Sequence, residues 1–597
     1  MAYCYLCCVK NYLIILGLFV FGYTQAQDSI VKRGPFLQMP LANSIIVKWY
    51  TTIKTPTHVY YGTQQNNLNL NFSNTDSTLE HKATLVNLEP NTKYYYKIYL
   101  SGNSYLGDST YYFITQTNEN KAFNIWVTGD QGTGFNTQTN VMNGYSQFMQ
   151  NSHTDLWLLL GDNAYASGLD SEYTHLFFKP YMAGLQMRQT PILPAPGNHD
   201  YYNTTDLNSR QTPYFNIFEL PVNGELGGLA SDNESFYSYN YSNVHFASLD
   251  SYGTETDMKL YDTTGTQYQW LKKDLEQNTQ LWTILYWHHP PITKGNHDCD
   301  TEQELINIRK NLTDLIDKHQ VDLVLNGHSH AYERSKRIKG FKGLEIDFND
   351  SIFRTDSTSA KYDGSINSCP HIKNENSNEG TIYNVCGCSG KTDVTTSGWP
   401  HAAMLVSENT MPGSLSIQIN NNRLDSYFIL SDGSVYDHYT IMKNVNQRKE
   451  EYYFPGSLVS LDASWIGNYN WNTGDTSASI FHELHSDTMV VVSDHYQCLS
   501  DTFNLMIDSL SGMETKQTNT LLYPNANDGT FKVQLPFIEE TDIELYLLDE
   551  SGKKMEVSYY KENSYTIKVN AKKIPTATYF LIINNAGITY KQKVAIQ

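Results

Sequence analysis

Five times between Phe123 and His330 the chain places a cluster of Gly, Asp, Asn or His where a short apolar run stops. The clusters are Gly129-Asp130, Gly161-Asp162-Asn163-Ala164-Tyr165, Gly197-Asn198-His199-Asp200, His288-His289-Pro290 and Gly327-His328-Ser329-His330. The runs Phe123 to Thr128, Leu156 to Leu160, Val244 to Leu249, Trp282 to Tyr286 and Val321 to Leu325 read as buried strands. Gln267 to Gln277 and Glu302 to His319 read as helices. Strands alternating with helices predict an α/β domain, and ligand sites of open α/β sheets lie at the carboxyl ends of the strands. Each cluster sits at such an end. A Gly-Asp after one strand is more often a turn, and a lone His is more often a hydrogen-bonded surface residue. Five clusters in order are different. Together they supply Asp, Tyr, Asn and His side chains, the oxygen and nitrogen donors that hard and borderline cations prefer.

The rest of the chain has another texture. Residues 30–117 carry short alternating strands, among them Ser44 to Trp49 and Lys93 to Tyr99. Several such strands in under a hundred residues predict a β-sandwich. The Leu88-x-Pro90-x-Thr92-x-Tyr94-x-Tyr96 pattern resembles a fibronectin type III module. The α/β texture spans 122–445. Residues 446–511 return to β texture, and Tyr469 to Gly474 followed by Met489 to Asp494 resembles an immunoglobulin-like module of bacterial surface proteins. A polar linker at 512–519 leads to a last small β unit at 520–597.

Charge narrows the partners. The 597 residues carry a formal net charge of −20, so nucleic acid would meet long-range repulsion. A small anion is still admissible where bound cations reverse the local field. Residues 1–26 read as a signal peptide: Lys10, then the apolar run from Leu13 to Phe21, then Thr24-Gln25-Ala26. That run is too short to span a bilayer, and no transmembrane segment is expected in the mature chain. Beyond the signal segment lie Cys299, Cys369, Cys386, Cys388 and Cys498. An exported chain admits disulfides, and a bridge from Cys369 or Cys299 to Cys386 or Cys388 is expected. Metal binding by Cys386-Gly387-Cys388 is the alternative.

The five clusters are similar to those of the calcineurin-like metallophosphoesterases. Tyr165, three residues after Asp162, and the string Gly327-His328-Ser329-His330-Ala331-Tyr332-Glu333-Arg334 resemble the purple acid phosphatases in particular. Arg33-Gly34-Pro35-Phe36-Leu37-Gln38 resembles the start of that family's amino-terminal module. The resemblance implies a binuclear metal centre on an α/β sandwich. Asp130, Tyr165 and His330 would hold Fe³⁺. Asn198, His288 and His328 would hold a divalent ion, Zn²⁺, Fe²⁺ or Mn²⁺, and Asp162 would bridge the two. His289 stands beside His288, and the residues alone do not exclude it; the family's His-x-Pro spacing favours His288. Implied with these ligands is acid phosphatase chemistry on a small phosphate ester, by hydroxide that the metals generate from water. His199 would protonate the leaving group, and His297 is the candidate for a second outer His, or else a plain loop histidine. Two rival readings are a phosphodiesterase or nucleotide pyrophosphatase on the same scaffold, and an inactive surface adhesin.

The carboxy-terminal unit carries Tyr523-Pro524-Asn525-Ala526-Asn527-Asp528-Gly529, Leu547 to Lys553 and Ala577 to Ile582. It resembles the sorting domain of the type IX secretion system of certain Gram-negative bacteria. That resemblance implies a chain taken to the periplasm by the signal peptide, then secreted or displayed at the cell surface by the type IX machinery.

Overall fold

The computed structural model describes residues 30–117, 119–150, 152–374, 379–453, 456–507, 521–523, 527–535, 543–549, 553–585 and 588–596. The signal segment and the 512–519 linker lie outside the described residues. Contacts divide the chain into two compact units, 1–506 and 507–597.

The first unit opens with a β-sheet of six strands: β1 (Val31–Gln38), β2 (Ser44–Gly62), β3 (Leu70–Val86), β4 (Lys93–Ser101), β5 (Ser104–Leu106) and β6 (Tyr112–Ile114). β2 and β3 are longer than the alternation suggested, 19 and 17 residues, with register shifts between Tyr50 and Thr57. The Tyr94 hydroxyl accepts the Glu89 N–H at 2.9 Å, which fastens the turn before β4. The start of this module is built into the next one. Phe36 is buried against Phe178 at 4.9 Å, and buried Arg33 pairs with Asp170 and Glu80.

The α/β region is two seven-stranded sheets. The first runs β15 (His371–Lys373), β20 (Val435–Lys443), β19 (Arg423–Leu430), β18 (Gly413–Asn420), β7 (Phe123–Thr128), β8 (Leu156–Leu160) and β9 (Ile192–Ala195). The second runs β10 (Tyr237–Tyr241), β11 (Val244–Ser248), β12 (Trp282–Trp287), β13 (Leu323–Asn326), β16 (Ile382–Cys386), β14 (Tyr332–Ser335) and β17 (Met404–Glu408). β7, β8 and β9 are parallel, as are β11, β12, β13 and β16. These strands are buried throughout, as expected of parallel sheets covered on both faces.

Side-chain alternation shows the layers. Ile284 and Tyr286 of β12 share a core with Ile125, Val127 and Leu158 of the other sheet. Leu285 and Trp287 point the opposite way, against helix α2 (Thr266–Gln277) and helix α3 (Gln303–Lys318). Leu305, Ile308, Leu312 and Leu315 recur at helical spacing along α3 and give it one apolar face. Helix α1 (Asn136–Met149) covers the first sheet through Met142, Tyr145 and Met149. The two sheets therefore lie between helices, and the carboxyl ends of β7, β8, β9, β12 and β13 converge.

The described residues between 448 and 506 contribute to a four-stranded and a two-stranded sheet within the same compact unit. The Cys369–Cys498 disulfide ties this segment to the α/β region, with the Cα atoms 5.2 Å apart. Asn422 Nδ2 donates to Ser464 O at 2.7 Å, and Arg423 Nη1 to Ile466 O at 3.0 Å. The expected bridge to Cys386 or Cys388 is thus corrected. Both thiols are buried at the end of β16, under the strand-end clusters, and Cys299 is buried in the loop before α3. Cys369 precedes β15, at the far edge of the other sheet, and reaches only Cys498. The second unit has two four-stranded antiparallel sheets, with a core that includes Phe531, Val533, Leu547, Ile567, Val569 and Leu581. Among the described residues no helix is long and apolar enough to cross a membrane.

Candidate metal centre

The loops after β7, β8, β9, β12 and β13 bring the five clusters to one place. Asp130, Asp162 and His328 have φ of 58°, 50° and 67°, a region that non-glycine residues enter at a cost. Gly161 is held to glycine twice over: its φ is +92°, and a Cβ there would lie 2.6 Å from His288 Nδ1. Close approach, more than turn-making, explains this glycine.

Each carboxylate is oriented by a backbone N–H. Asp130 Oδ2 accepts from His328 N at 2.8 Å, which leaves Oδ1 near Tyr165 Oη (2.8 Å) and His330 Nε2 (3.3 Å). Asp162 Oδ1 accepts from His199 N at 2.8 Å, which leaves Oδ2 near Tyr165 Oη (3.1 Å) and His288 Nε2 (3.2 Å). Asp162 Oδ2 so lies between two groups of donors.

The histidine tautomers follow from each ring's other partner. His288 Nδ1–H donates to Leu160 O at 2.8 Å, so Nε2 presents its lone pair. His330 Nδ1–H donates to Asp393, so Nε2 does the same. His328 Nε2 faces Glu302 at 3.5 Å, so Nδ1 is the free nitrogen. That Nδ1 lies 3.3 Å from His288 Nε2. Two lone pairs at that distance repel unless a proton or a cation sits between them. Asn198 adds a third acceptor: its Nδ2 donates to Tyr202 Oη at 2.8 Å, while its buried Oδ1 has no hydrogen-bond partner.

Protonation energetics agree. Burial would lower His288, but the charges of Asp162 and Asp130 outweigh it and push the imidazole up to about 9. His328 is pushed down to about 4, by burial first, with Glu302 opposing. Burial and the charges of Asp130 and Asp162 hold the Tyr165 phenol well above its usual range. Without a cation this phenol stays neutral. The donor set therefore fits metal: two carboxylates, a phenol, three imidazoles and the Asn198 amide oxygen converge, a bound cation would take the place of the His288 proton, and Asp130, Asp162 and His288 offer ligand atoms within 4.8 Å of one another.

The outer histidines flank the cluster. His199 Nδ1 donates to Ala166 O at 2.6 Å, and its Nε2 stands 3.7 Å from Asp162 Oδ2. His297 stacks on His328 with centroids 3.7 Å apart, and its Nδ1 meets Glu302 Oε1 at 2.8 Å. His289 stands apart from the Asp162 carboxylate group: its Nδ1 bonds Ser251 Oγ at 2.8 Å behind His328.

Supporting residues were not legible in the sequence. Asp200 is buried and accepts from Gly197 N (2.8 Å), Asn163 N (3.1 Å) and Tyr173 Oη (2.5 Å), which joins the second cluster to the third. Asn296 Oδ1 accepts from His330 N at 2.6 Å. Glu302, Asp393 and Tyr202 each hold the outer atom of one candidate ligand. Asp200 and Tyr202 are close to a cluster, but nothing in their spacing shows which atom they meet; Glu302 and Asp393 come from distant loops.

Three segments of the chain match known families. Residues 123–332 match the family of calcineurin-like phosphoesterases, 36–134 the purple acid phosphatase N-terminal domain, and 521–597 the secretion system C-terminal sorting domain. Purple acid phosphatase 13 of Arabidopsis thaliana is 30% identical over 315 residues, which cover 45% of this chain and 53% of that protein. Acid phosphatase type 7 of Danio rerio is 25% identical over 338 residues, 50% of this chain and 70% of that protein. The chain spans about half the length of the first curated relatives it matches. A purple acid phosphatase from yellow lupin seeds (Lupinus luteus) shares the fold, with a TM-score of 0.50 at 19% identity over 68% of this chain and 74% of that one. Residues 36–332 thus resemble the purple acid phosphatases, with the calcineurin-like phosphoesterase match at 123–332, and residues 521–597 resemble a secretion-sorting domain.

Proposed function

We propose that the chain is a binuclear metal-dependent acid phosphatase acting on phosphate monoesters. One observation carries the reading: the buried, unpartnered Asn198 Oδ1, and His288 Nε2 and His328 Nδ1 only 3.3 Å apart, stand beside a carboxylate shared with a second donor group. Asp130, Tyr165 and His330 would hold a ferric ion, since a phenolate suits a hard, highly charged cation. Asn198, His288 and His328, all neutral, would hold a divalent ion, Zn²⁺, Fe²⁺ or Mn²⁺. Asp162 would bridge them. Such a pair acidifies water and neutralises phosphoryl oxygens.

The protein's own groups supply the rest. His199 is held through Nδ1, so its Nε2 is the nitrogen free to protonate a leaving alkoxide. His297 is held through Nδ1 by Glu302 and presents its other nitrogen on the opposite flank. We assign it the second outer-histidine role, steadying the phosphoryl group. No observation favours the diesterase or adhesin reading. The sorting domain supports export through the type IX secretion machinery, to the cell surface or the medium.

The test is Asp162→Ala. Because both ions would share this carboxylate, the variant should lose at least one metal per chain and activity by at least about a hundredfold. Two metals retained with near-normal turnover would refute the assignment.

A further inference from the structure

A continuous wall of rings leads away from the metal centre. Tyr165 lies 4.4 Å from His199, His199 4.5 Å from Tyr202, and Tyr202 meets Tyr252 edge-on at 6.1 Å. Tyr252 in turn stacks on His289 at 5.8 Å with 12° between planes. The wall starts on one proposed ligand and ends beside another, since His289 stands 4.3 Å from His328. Tyr202 keeps 50% of its surface exposed, while its hydroxyl is anchored on Asn198. Its ring, rather than its polar end, is therefore offered to solvent, in a fixed orientation.

The nearby cations are already paired. Lys259 meets Glu304 at 3.5 Å and lies over the Tyr252 ring, Lys294 meets Glu345, and Lys391 meets Asp393 at 2.7 Å. Glu302 and Asp393 add negative charge beside the centre. A substrate with a second phosphate would find these three cations already engaged.

We infer that the site selects esters carrying one phosphate on an aromatic alcohol, whose ring lies along Tyr202 and Tyr252, and that it disfavours multiply phosphorylated substrates. This rests on the phosphatase reading above and names its substrate class. Ring contact of this kind is worth a few-fold to about tenfold in affinity.

The experiment must separate ring recognition from leaving-group reactivity. Benzyl phosphate and glycerol 1-phosphate both release an alkyl alcohol, so the comparison isolates the ring. With the metal-loaded full chain, KM for benzyl phosphate should be about three- to tenfold below that for glycerol 1-phosphate, with inositol hexakisphosphate poorer than both. Tyr252→Leu should narrow the ratio of the two KM values. Equal KM values in the wild type, a ratio untouched by Tyr252→Leu in a folded variant, or preference for inositol hexakisphosphate would each overturn the inference. If no monoester is hydrolysed, the phosphatase reading falls instead. Calorimetric binding of benzylphosphonate against methylphosphonate then still decides whether the wall recognises a ring: tighter benzylphosphonate supports it, and equal binding refutes it.

Discussion

Asn198 has two chemically different ends, and only the oxygen suits a cation. Tyr202 holds the nitrogen end at 2.8 Å and so fixes which way the amide points. Tyr202→Phe keeps the ring and removes that restraint. It should weaken one of the two ions by about tenfold, the usual scale for losing an outer partner of a metal ligand. Metal content after dialysis reads this directly, and unchanged affinity for both ions would deny Tyr202 the role. Tyr165 poses a different question. Burial and two carboxylates hold its phenol neutral, so only a highly charged ion would strip the proton. The oxidised protein should then show a phenolate-to-Fe³⁺ charge-transfer band in the visible, lost in Tyr165→Phe while packing changes little. A colourless, active wild type with two divalent ions would remove the ferric assignment and leave the phosphoesterase one standing. The candidate ligand types were legible in the sequence because each follows a strand end at short range. The restraint on the Asn198 amide could not, because which end Tyr202 meets is decided only when the loop closes.

The last three residues of the string from Gly327 to Arg334 belong to an element, β14, and not to the proposed metal cluster. Arg334 and Tyr332 both bind Asp437 of β20, the guanidinium through Nε at 2.6 Å and Nη2 at 3.0 Å, so the two sheets are pinned together just below the site. Glu333 faces the other way, accepting from Thr293 and from Lys294 N, on the loop that leads to His297. Burial pushes its carboxyl up to about 7, against 4.5 for a free Glu. Between those values the folded chain keeps a proton that the unfolded chain has lost. The stabilisation is therefore complete below about pH 4.5 and is lost as pH rises through 7, by on the order of 3 kcal/mol. Glu333→Gln, which stays neutral, should match the wild type in unfolding midpoint at pH 5 and exceed it at pH 8. An identical gap at both pH values would show that the charge is not the cause. Strand bounds such as Phe123–Thr128 and Leu156–Leu160 were legible because both faces are buried and the runs are unbroken. The length of β2 and β3 was not, since a long hairpin with mixed exposure shows no such run.

Across the whole molecule, the disulfide and the tail divide the chain in different ways. Cys369–Cys498 closes a span of 129 residues and ties the 448–506 segment to the α/β region, within the first compact unit. Cysteine spacing could not reveal this, because pairing depends on which sheet edge each thiol reaches. The tail is the opposite case: its three motifs were readable, and its core is made of its own residues, among them Val533, Leu547, Val569 and Leu581. A sorting module needs that independence, since it must be recognised by export machinery whatever cargo precedes it. Deleting 520–597 should consequently leave kcat/KM of the purified chain unchanged and hold the enzyme inside the cell envelope. The measurement is phosphatase activity in medium against cell fractions, for full-length and truncated chains expressed alike. Normal export of the truncation would remove the sorting role, and loss of kcat/KM would instead make the tail part of the catalytic body. Because the proposed metal ligands all lie between Asp130 and His330, the expected result is a full-strength enzyme in the wrong compartment.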